Sequence, residues 1–222
     1  MHVEWATMPA LVAARQPDPP QGWFATEHGL ALAMSELPSL YAEISARPGL
    51  PWLAFSAIPR PGAIDQPHGL WLSAAEPGGW RGDVTCGPAL PLAGESMGAV
   101  IIQHVEGRPV EDWLAECVRV LVPGGRLGVF ALNPLSPYRA HWMGEGESGR
   151  EPVTWRRRLK RAGLVPEPVA QGIGPRWRSR IDSQPQRGAG ARAAYLISAE
   201  KRRTPMTPRR APALGAVVGD SA

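Results

Sequence analysis

The chain has 222 residues, of which 44% are hydrophobic and 20% charged, so its length fits one globular domain with some additional chain. Glycine and proline contribute 25 residues each, which argues against a helical bundle or a coiled coil, because both residues interrupt helices. The formal net charge is +4, but residues 1–149 carry 8 basic and 15 acidic side chains, whereas residues 150–222 carry 16 basic and 5 acidic ones.

The two cysteines and the absence of long apolar runs limit where the protein could work. Cys86 and Cys117 are too few for a disulfide framework, and their spacing matches no metal or redox motif. We interpret both as small buried residues in a reducing compartment. The first residues lack the pattern of a signal peptide, and no apolar run approaches the roughly 18–20 residues of a membrane helix. The sequence therefore predicts a soluble, cytoplasmic protein with no metal site and no membrane partner.

The first third of the chain predicts a leader, a helix and short strands. Prolines cluster at the end of residues 1–21, which we interpret as a flexible leader. Apolar residues recur at near-helical spacing from Ala25 to Arg47, and Pro38 is expected to break or kink this helix into two pieces. Short strands are predicted over three segments: Leu50–Ala57, Gly69–Ser73 and Asp83–Cys86.

The strongest pattern lies in the middle of the chain. The uninterrupted apolar run Ala99–Gln103 is typical of a central parallel strand, because helices cover both faces of such a sheet. Val110–Leu121 has the apolar and charged faces of an amphipathic helix, which Pro123-Gly124-Gly125 ends. Leu127–Leu132 is again a buried strand. This order predicts a βαβ unit with a right-handed crossover.

The last third predicts one more helix and two strands before a basic tail. The helix is predicted over Glu151–Ala162, and the strands over Leu164–Val169 and Ala193–Ser198. The alternation of strands and helices predicts an α/β domain over residues 22–198 with a mostly parallel sheet. Residues 199–222 form a basic tail that we expect to be disordered.

Several segments follow the order and spacing of a known family. Leu90-Pro91-Leu92, the strand Ala99–Gln103 and the ungapped stretch Arg119–Gly125 resemble motifs of the class I S-adenosylmethionine-dependent methyltransferases. Leu132–Ser136 and Gly22–Thr26 resemble a small bacterial subgroup of that superfamily, similar to methyltransferase type 11. The resemblance implies a three-layer, Rossmann-like fold with a mostly parallel seven-stranded sheet.

The resemblance also implies that S-adenosylmethionine binds at the carboxyl edge of this sheet. Carried over residue by residue, the cofactor-binding positions are Ser56, Ala57, Ser73, Glu76, Cys86, Gly87, Leu90 and Gln103. His104 falls at the strand end where the family places residues facing the acceptor, and it could orient the acceptor or take its proton. Asn133 could offer its amide to a substrate. Alternatively, His104 is a solvated loop residue, and the Asn-Pro pair at Asn133 only begins a turn.

The family's glycine-rich turn after the first strand is missing. Residues 53–59 contain no glycine, and Ile58 and Pro59 are untypical of a turn whose backbone must approach the cofactor. Two hypotheses follow. One is an active methyltransferase whose unknown acceptor is a small molecule or a nucleic acid. The other is a catalytically inactive relative that serves as an interaction or regulatory module. A cofactor site filled by the side chain of Phe55, Ile58 or Trp71 would favour this second hypothesis.

The basic C-terminal half indicates a further partner. Arginines follow Trp155 in one segment and flank Trp177 in another, and this pairing can contact phosphates and stack on bases. The alternative is a solvated helix face whose arginine stems cover apolar surface. The sequence therefore leaves nucleic acid open as a partner.

Overall fold

A computed structural model describes residues 22–62, 64, 68–75, 78–105, 110–145 and 147–202, with the side chains of 110–112 left out. The predicted leader, most of the predicted tail and Glu76 lie outside the described residues. Within these ranges, no helix is long and apolar enough to cross a bilayer. No three potential metal ligands cluster in this part of the chain.

Three α-helices are described: α1 (Glu27–Ile44), α2 (Val110–Val120) and α3 (Pro152–Arg161). The helix α1 begins after Thr26, whose hydroxyl oxygen accepts a hydrogen bond from the Gly29 N–H at 3.2 Å. It continues through Pro38, so the prediction of two pieces is wrong. Proline removes one helical hydrogen bond, but the burial of Leu32 and Leu40 on either side holds the helix together.

The strands form one nine-stranded sheet. They are β1 (Trp52–Ser56), β2 (Gly69–Ala75), β3 (Gly79–Gly82), β4 (Met97–Gln103), β5 (Leu121–Leu132), β6 (Val165–Pro166), β7 (Gln171–Ile173), β8 (Gln186–Arg187) and β9 (Ala194–Glu200). The order is β3-β2-β1-β4-β5-β9-β7-β8, and β6 pairs with β9. The four central strands β2, β1, β4 and β5 are parallel, and the outer strands are antiparallel. The predicted α/β architecture with a parallel centre is confirmed, with nine strands instead of seven.

The third predicted strand is in the wrong place. A turn at Gly78, which has a φ of 78°, leads into β3, and β3 runs antiparallel to β2. Within the predicted segment Asp83–Cys86, only Cys86 pairs, through an isolated bridge with Trp80. Between the parallel strands β1 and β2, the described residues contain no helix.

The Pro-Gly-Gly segment lies inside β5. The helix α2 ends at Val120, and β5 begins at once beside β4, where Leu121 pairs with Met97. The next pair is Arg126 with Ala99, so the residues between them bulge out of the ladder. Gly124 permits this bulge because its φ is 79°.

Successive side chains of the central strands point to opposite faces of the sheet, and helices cover both faces. The sheet and the helices on its two sides form three layers. In β1, Leu53 and Phe55 pack with α2 and α3, whereas Trp52 and Ala54 pack with α1 on the other face. Cys117 lies fully buried in α2, and burial raises the pKa of its thiol. We therefore regard Cys117 as an apolar core residue.

One packing contact in this core can be tested with a small substitution. A Cβ atom on Gly69 would lie 1.9 Å from the Trp52 ring. We expect Gly69→Ala to lower the free energy of unfolding by about 1–3 kcal/mol, because the indole must move out of a packed core. Chemical denaturation measures the change. Gly62→Ala is the control, because a Cβ there meets nothing within 4 Å, and equal losses in both variants would contradict this packing.

Candidate functional site

Polar side chains meet where β1 and β4 end. Ser56 pairs with Gln103 in the parallel register, so the two strand ends lie side by side. The strand order reverses between β1 and β4, and open α/β sheets bind ligands at such a switch point. The Ser56 hydroxyl donates to Gln103 Oε1 at 2.9 Å and accepts from the Ile58 N–H at 2.9 Å.

A carboxylate from α1 completes this arrangement. Gln103 Nε2 donates to Glu36 Oε2 at 2.8 Å, and His104 Nε2 lies 2.9 Å and 3.0 Å from the two carboxylate oxygens. Glu36 and Ser56 have no exposed surface, and Gln103 and His104 are 3% and 4% exposed. We call these four side chains the polar network. It joins α1 to both strand ends.

Glu36 determines which nitrogen of His104 carries the proton. A carboxylate only accepts hydrogen bonds, so the geometry assigns a proton to Nε2 of His104. In a neutral imidazole, Nδ1 then carries a lone pair. Nδ1 is buried and has no hydrogen-bond partner among the described residues. A histidine oriented in this way by a carboxylate has the arrangement of a general base.

The backbone of His104 is also unusual. Its φ of 54° lies in the left-handed region, which side chains with a Cβ rarely adopt. The His104 N–H donates to the Phe130 carbonyl at 3.0 Å, and the Phe24 ring lies 4.8 Å from the imidazole. Strain of this kind persists only where the surroundings enforce it, and it is concentrated at functional sites.

The sequence analysis missed Glu36. Leu32, Glu36 and Leu40 follow one another at four-residue intervals, so they share the buried face of α1. A charged residue in the middle of an apolar face is costly unless it is paired, and that is a signal the sequence contained. The identity of the partner was not available from the sequence, because His104 lies far along the chain and reaches Glu36 only in the folded sheet.

Four of the predicted cofactor positions lie together. Ser56 and Gln103 belong to the polar network, and Ala57 is exposed immediately after β1. The Ala57 N–H donates to the Gln103 carbonyl at 3.0 Å. Ser73 directly follows Leu72, which pairs with Phe55, so Ser73 is level with the end of β1.

The remaining predicted positions lie toward β3 or outside the described residues. Cys86 flanks Trp80, and burial raises the pKa of its thiol. Gly87 is exposed beside it. Leu90 is buried in the core, and its N–H donates to Glu116 Oε2 at 3.0 Å, which ties this segment to α2. Glu76, the acidic residue predicted to bind the ribose, lies outside the described residues.

The amide of Asn133 is occupied by the backbone. Its Nδ2 donates to the carbonyls of Gly190 and Arg192, each at 2.9 Å, and its Oδ1 accepts from the Leu135 N–H at 3.1 Å. The side chain thus holds the turn after β5 against the loop before β9. This matches the alternative role of Asn133 as a turn residue, so we give it no part in the chemistry below.

The turn after β1 is closed by the chain itself. Ile58 is buried, and its carbonyl accepts a hydrogen bond from the Trp71 indole at 2.9 Å. Phe55 and Trp71 are buried on opposite faces of the sheet. A glycine-rich turn would present its backbone N–H groups to a ligand. Here the N–H groups of Ala57 and Ile58 are instead bonded within the protein, to Gln103 and Ser56.

An apolar cluster lies next to the polar network. It consists of Trp23, Phe24, Leu32, Ile58, Leu132, Tyr138, Trp142, Ala193 and Ala194. The cluster brings the short 3-10 helix Gly22–Ala25 and the turns after β1 and β5 together at the carboxyl edge. The polar network is thus shielded from water, which strengthens its hydrogen bonds.

Solved structures resemble this chain in fold. A S-adenosylmethionine-dependent methyltransferase from Thermotoga maritima, described as a possible histamine N-methyltransferase, matches with a TM-score of 0.52 and 17% identity over 81% of this chain and 93% of its own. This chain has the class I methyltransferase fold. Methyltransferases from Mesorhizobium loti and Archaeoglobus fulgidus give TM-scores of 0.44 and 0.46 at 15% and 11% identity, over 75% and 77% of this chain and 97% and 93% of theirs. No protein-family model and no curated protein matches the sequence.

The polar network fits the charge of the cofactor that class I methyltransferases use. S-adenosylmethionine carries a positive charge on sulfur, and Glu36 places a buried carboxyl group at the switch point. The orphaned Nδ1 of His104 is a polar atom that a bound group would satisfy. The side chain of Ala57 is small and exposed, which leaves room for a ligand beside the end of β1, and the Ala57 N–H is bonded to Gln103. The closed turn at Ile58 is the departure from the class I pattern.

The strength of the polar network can be measured directly. We expect Glu36→Ala to lower the free energy of unfolding by about 3–5 kcal/mol, because it leaves the Nε2 groups of Gln103 and His104 buried without an acceptor. Glu27→Ala, at the exposed start of α1, should cost less than about 1 kcal/mol. Urea denaturation of both variants provides the measurement. A loss below about 1 kcal/mol for Glu36→Ala would show that the network is not formed.

Proposed function

We propose that this protein is an S-adenosylmethionine-dependent methyltransferase that binds its cofactor along the carboxyl ends of β1, β2 and β4. The polar network is the observation that carries the proposal. Burying Glu36 and His104 costs stability that an apolar pair would not cost, and such groups are concentrated at functional sites. Here they lie at the switch point of a class I fold, where ligands bind.

The strand ends would hold the cofactor. Ala57 directly follows β1, Ser73 lies in β2 level with the end of β1, and both are small residues. Gln103 ends the neighbouring strand β4 and is bonded to Ser56. When bound, S-adenosylmethionine supplies a methyl group on a positively charged sulfur. Glu36 would stabilise that charge, because electrostatic attraction is strong where water is excluded. Ser56 holds Gln103, and Gln103 holds the carboxylate of Glu36 in position.

His104 is the proposed base. Its Nδ1 lone pair could accept a proton from an acceptor group, and Glu36 would stabilise the resulting imidazolium through Nε2. The Phe24 ring packs beside the imidazole, with the two ring centroids 4.8 Å apart. The remaining task of the protein is to align the acceptor with the methyl group, which needs position rather than further catalytic groups.

Calorimetric titration tests the proposal. We expect S-adenosylmethionine and its demethylated product to bind the full chain with dissociation constants below about 1 mM, which corresponds to about 4 kcal/mol of binding free energy. Ala57→Leu should weaken both at least tenfold, because the new side chain occupies the approach to the end of β1. Ala42→Leu makes the same exchange on an exposed position of α1 and should leave both affinities unchanged.

A second function is favoured by the closed turn after β1. Ile58 and Trp71 fill the region where the family has glycines, and the Trp71 indole occupies the Ile58 carbonyl. This supports a protein that keeps the fold as an interaction module and does not bind the cofactor. In that case Glu36 and Gln103 only stabilise the edge of the sheet. No heat of binding for either ligand at millimolar concentration, with wild-type stability intact, would overturn the first proposal in favour of this one.

A further inference from the structure

The segment between β7 and β8 is pinned to the body of the protein at both ends. We call residues 175–182 the arginine strap. At one end, Arg192 Nη1 donates to the Gly174 carbonyl at 2.8 Å. At the other end, the Asp182 N–H donates to Ser35 Oγ at 2.9 Å, and the Asp182 carboxylate pairs with Arg192. The strap therefore has a fixed backbone and crosses α1 one residue before Glu36.

The middle of the strap is also held. The Ser179 hydroxyl is hydrogen-bonded to the Tyr138 hydroxyl at 3.1 Å and to Nδ1 of His28. Burial alone would raise the pKa of Asp182, but the hydrogen bond and the charge of Arg192 outweigh it and hold that pKa below its usual range. Asp182 thus stays ionised at neutral pH, and the strap remains pinned until the pH falls through this lowered pKa.

The two tryptophans that lie next to arginines in the sequence have opposite environments. Trp155 is 1% exposed and belongs to the core under α3, so it is not available to stack on a base. Trp177 is 69% exposed at the surface of the strap. The sequence-based interpretation of Trp155 as part of a nucleic-acid surface is therefore wrong. Among the tryptophans of the described residues, Trp177 in the strap is the one whose indole is largely exposed to solvent.

The outer surface of the strap is strongly positive. Arg176, Arg178 and Arg180 are exposed around Trp177. They line a shallow cavity of about 620 Å³, together with Arg192 and a single acidic residue. That acidic residue is Asp182, which already pairs with Arg192. Three arginine charges around one indole therefore face the cavity.

We propose that the arginine strap binds single-stranded nucleic acid. A guanidinium group can donate two parallel hydrogen bonds to a phosphate, and four arginines line the cavity, three of them on the strap and not paired with Asp182 in a salt bridge. The indole of Trp177 gives a base a flat surface for stacking. A single strand exposes both its phosphates and the faces of its bases, whereas a duplex keeps its bases stacked inside. This proposal concerns binding, and it holds whether or not the strand is the methyl acceptor.

The fixed backbone of the strap supports this assignment. An exposed aromatic side chain on a mobile loop would lose much of its stacking energy to ordering. Trp177 stands on a backbone that is already anchored at Ser35, Tyr138 and Arg192. An acidic peptide would also be attracted by the arginines, but it would gain little from the face of Trp177. Loss of the indole therefore distinguishes a nucleic acid from a simple polyanion.

Fluorescence anisotropy with a labelled twelve-nucleotide oligouridine or oligothymidine, without S-adenosylmethionine, tests the proposal. We expect Trp177→Ala to weaken binding roughly tenfold or more, because stacking contributes substantially for each base. Arg178→Ala should weaken binding and reduce the slope of log affinity against log salt by about 0.7, as expected for one lost phosphate contact on a single strand.

Matched variants on other surfaces serve as controls. Arg157→Ala removes the same charge from the exposed face of α3, and Leu135→Ala removes another exposed apolar side chain. Both should bind the oligonucleotide as the wild type does. The proposal is overturned if the wild type does not bind either oligonucleotide, if Arg157→Ala matches Arg178→Ala, or if Trp177→Ala binds as well as the wild type. It is also overturned if polyglutamate competes as well as an unlabelled oligonucleotide.

Discussion

One buried carboxylate connects the N-terminal helix to the carboxyl edge of the sheet. Glu36 accepts hydrogen bonds from Gln103 and His104, and Gln103 passes the connection to Ser56 and the turn after β1. Each hydrogen-bond donor in the polar network is buried. Removing the Glu36 carboxylate therefore leaves these donors without a partner and without water. The same contact orients the His104 ring and decides which of its nitrogens is basic. The stability of this edge and the orientation of the His104 ring therefore depend on one side chain.

A second carboxylate fixes the other end of α1. Glu43 lies two helical turns beyond Glu36 and accepts from Ser198 at 2.6 Å and from Arg126 at 3.2 Å and 3.3 Å. Leu40 packs against the sheet between these two polar contacts. The helix is thus held at both edges of the sheet, even though no helix is described in the connection from β1 to β2. The strap bonds to α1 at Ser35, the residue next to this anchored Glu36.

Local patterns in the sequence predicted the centre of the fold. An apolar run, an amphipathic helix and a Pro-Gly-Gly segment identify β4, α2 and β5, because each signal is contained within a few residues. The antiparallel β3 was not predicted, because its direction depends on the turn at Gly78. Trp155 and Trp177 look alike beside their arginines, but Trp155 shares a helix face with the buried Leu159, a spacing that could have separated them.

The candidate site was predicted in part for the same reason. The resemblance placed Ser56, Gln103 and His104 at strand ends, and the parallel register brings them together. The pairing of His104 with Glu36 depends on how α1 lies across the sheet, which no local pattern contains. Asn133 matched a family position in the sequence, but its amide bonds to the backbone of a distant loop.

The two functions considered for this fold share the polar network and differ in what meets Nδ1 of His104. Nitrogen NMR of the His104 ring in the full chain, with and without S-adenosylmethionine, tests this most directly. We predict a proton on Nε2, an unprotonated Nδ1 in the free protein, and a shift of the Nδ1 resonance when S-adenosylmethionine is added. A proton on Nδ1 of the neutral ring, or ring resonances unchanged at millimolar S-adenosylmethionine, would contradict the account.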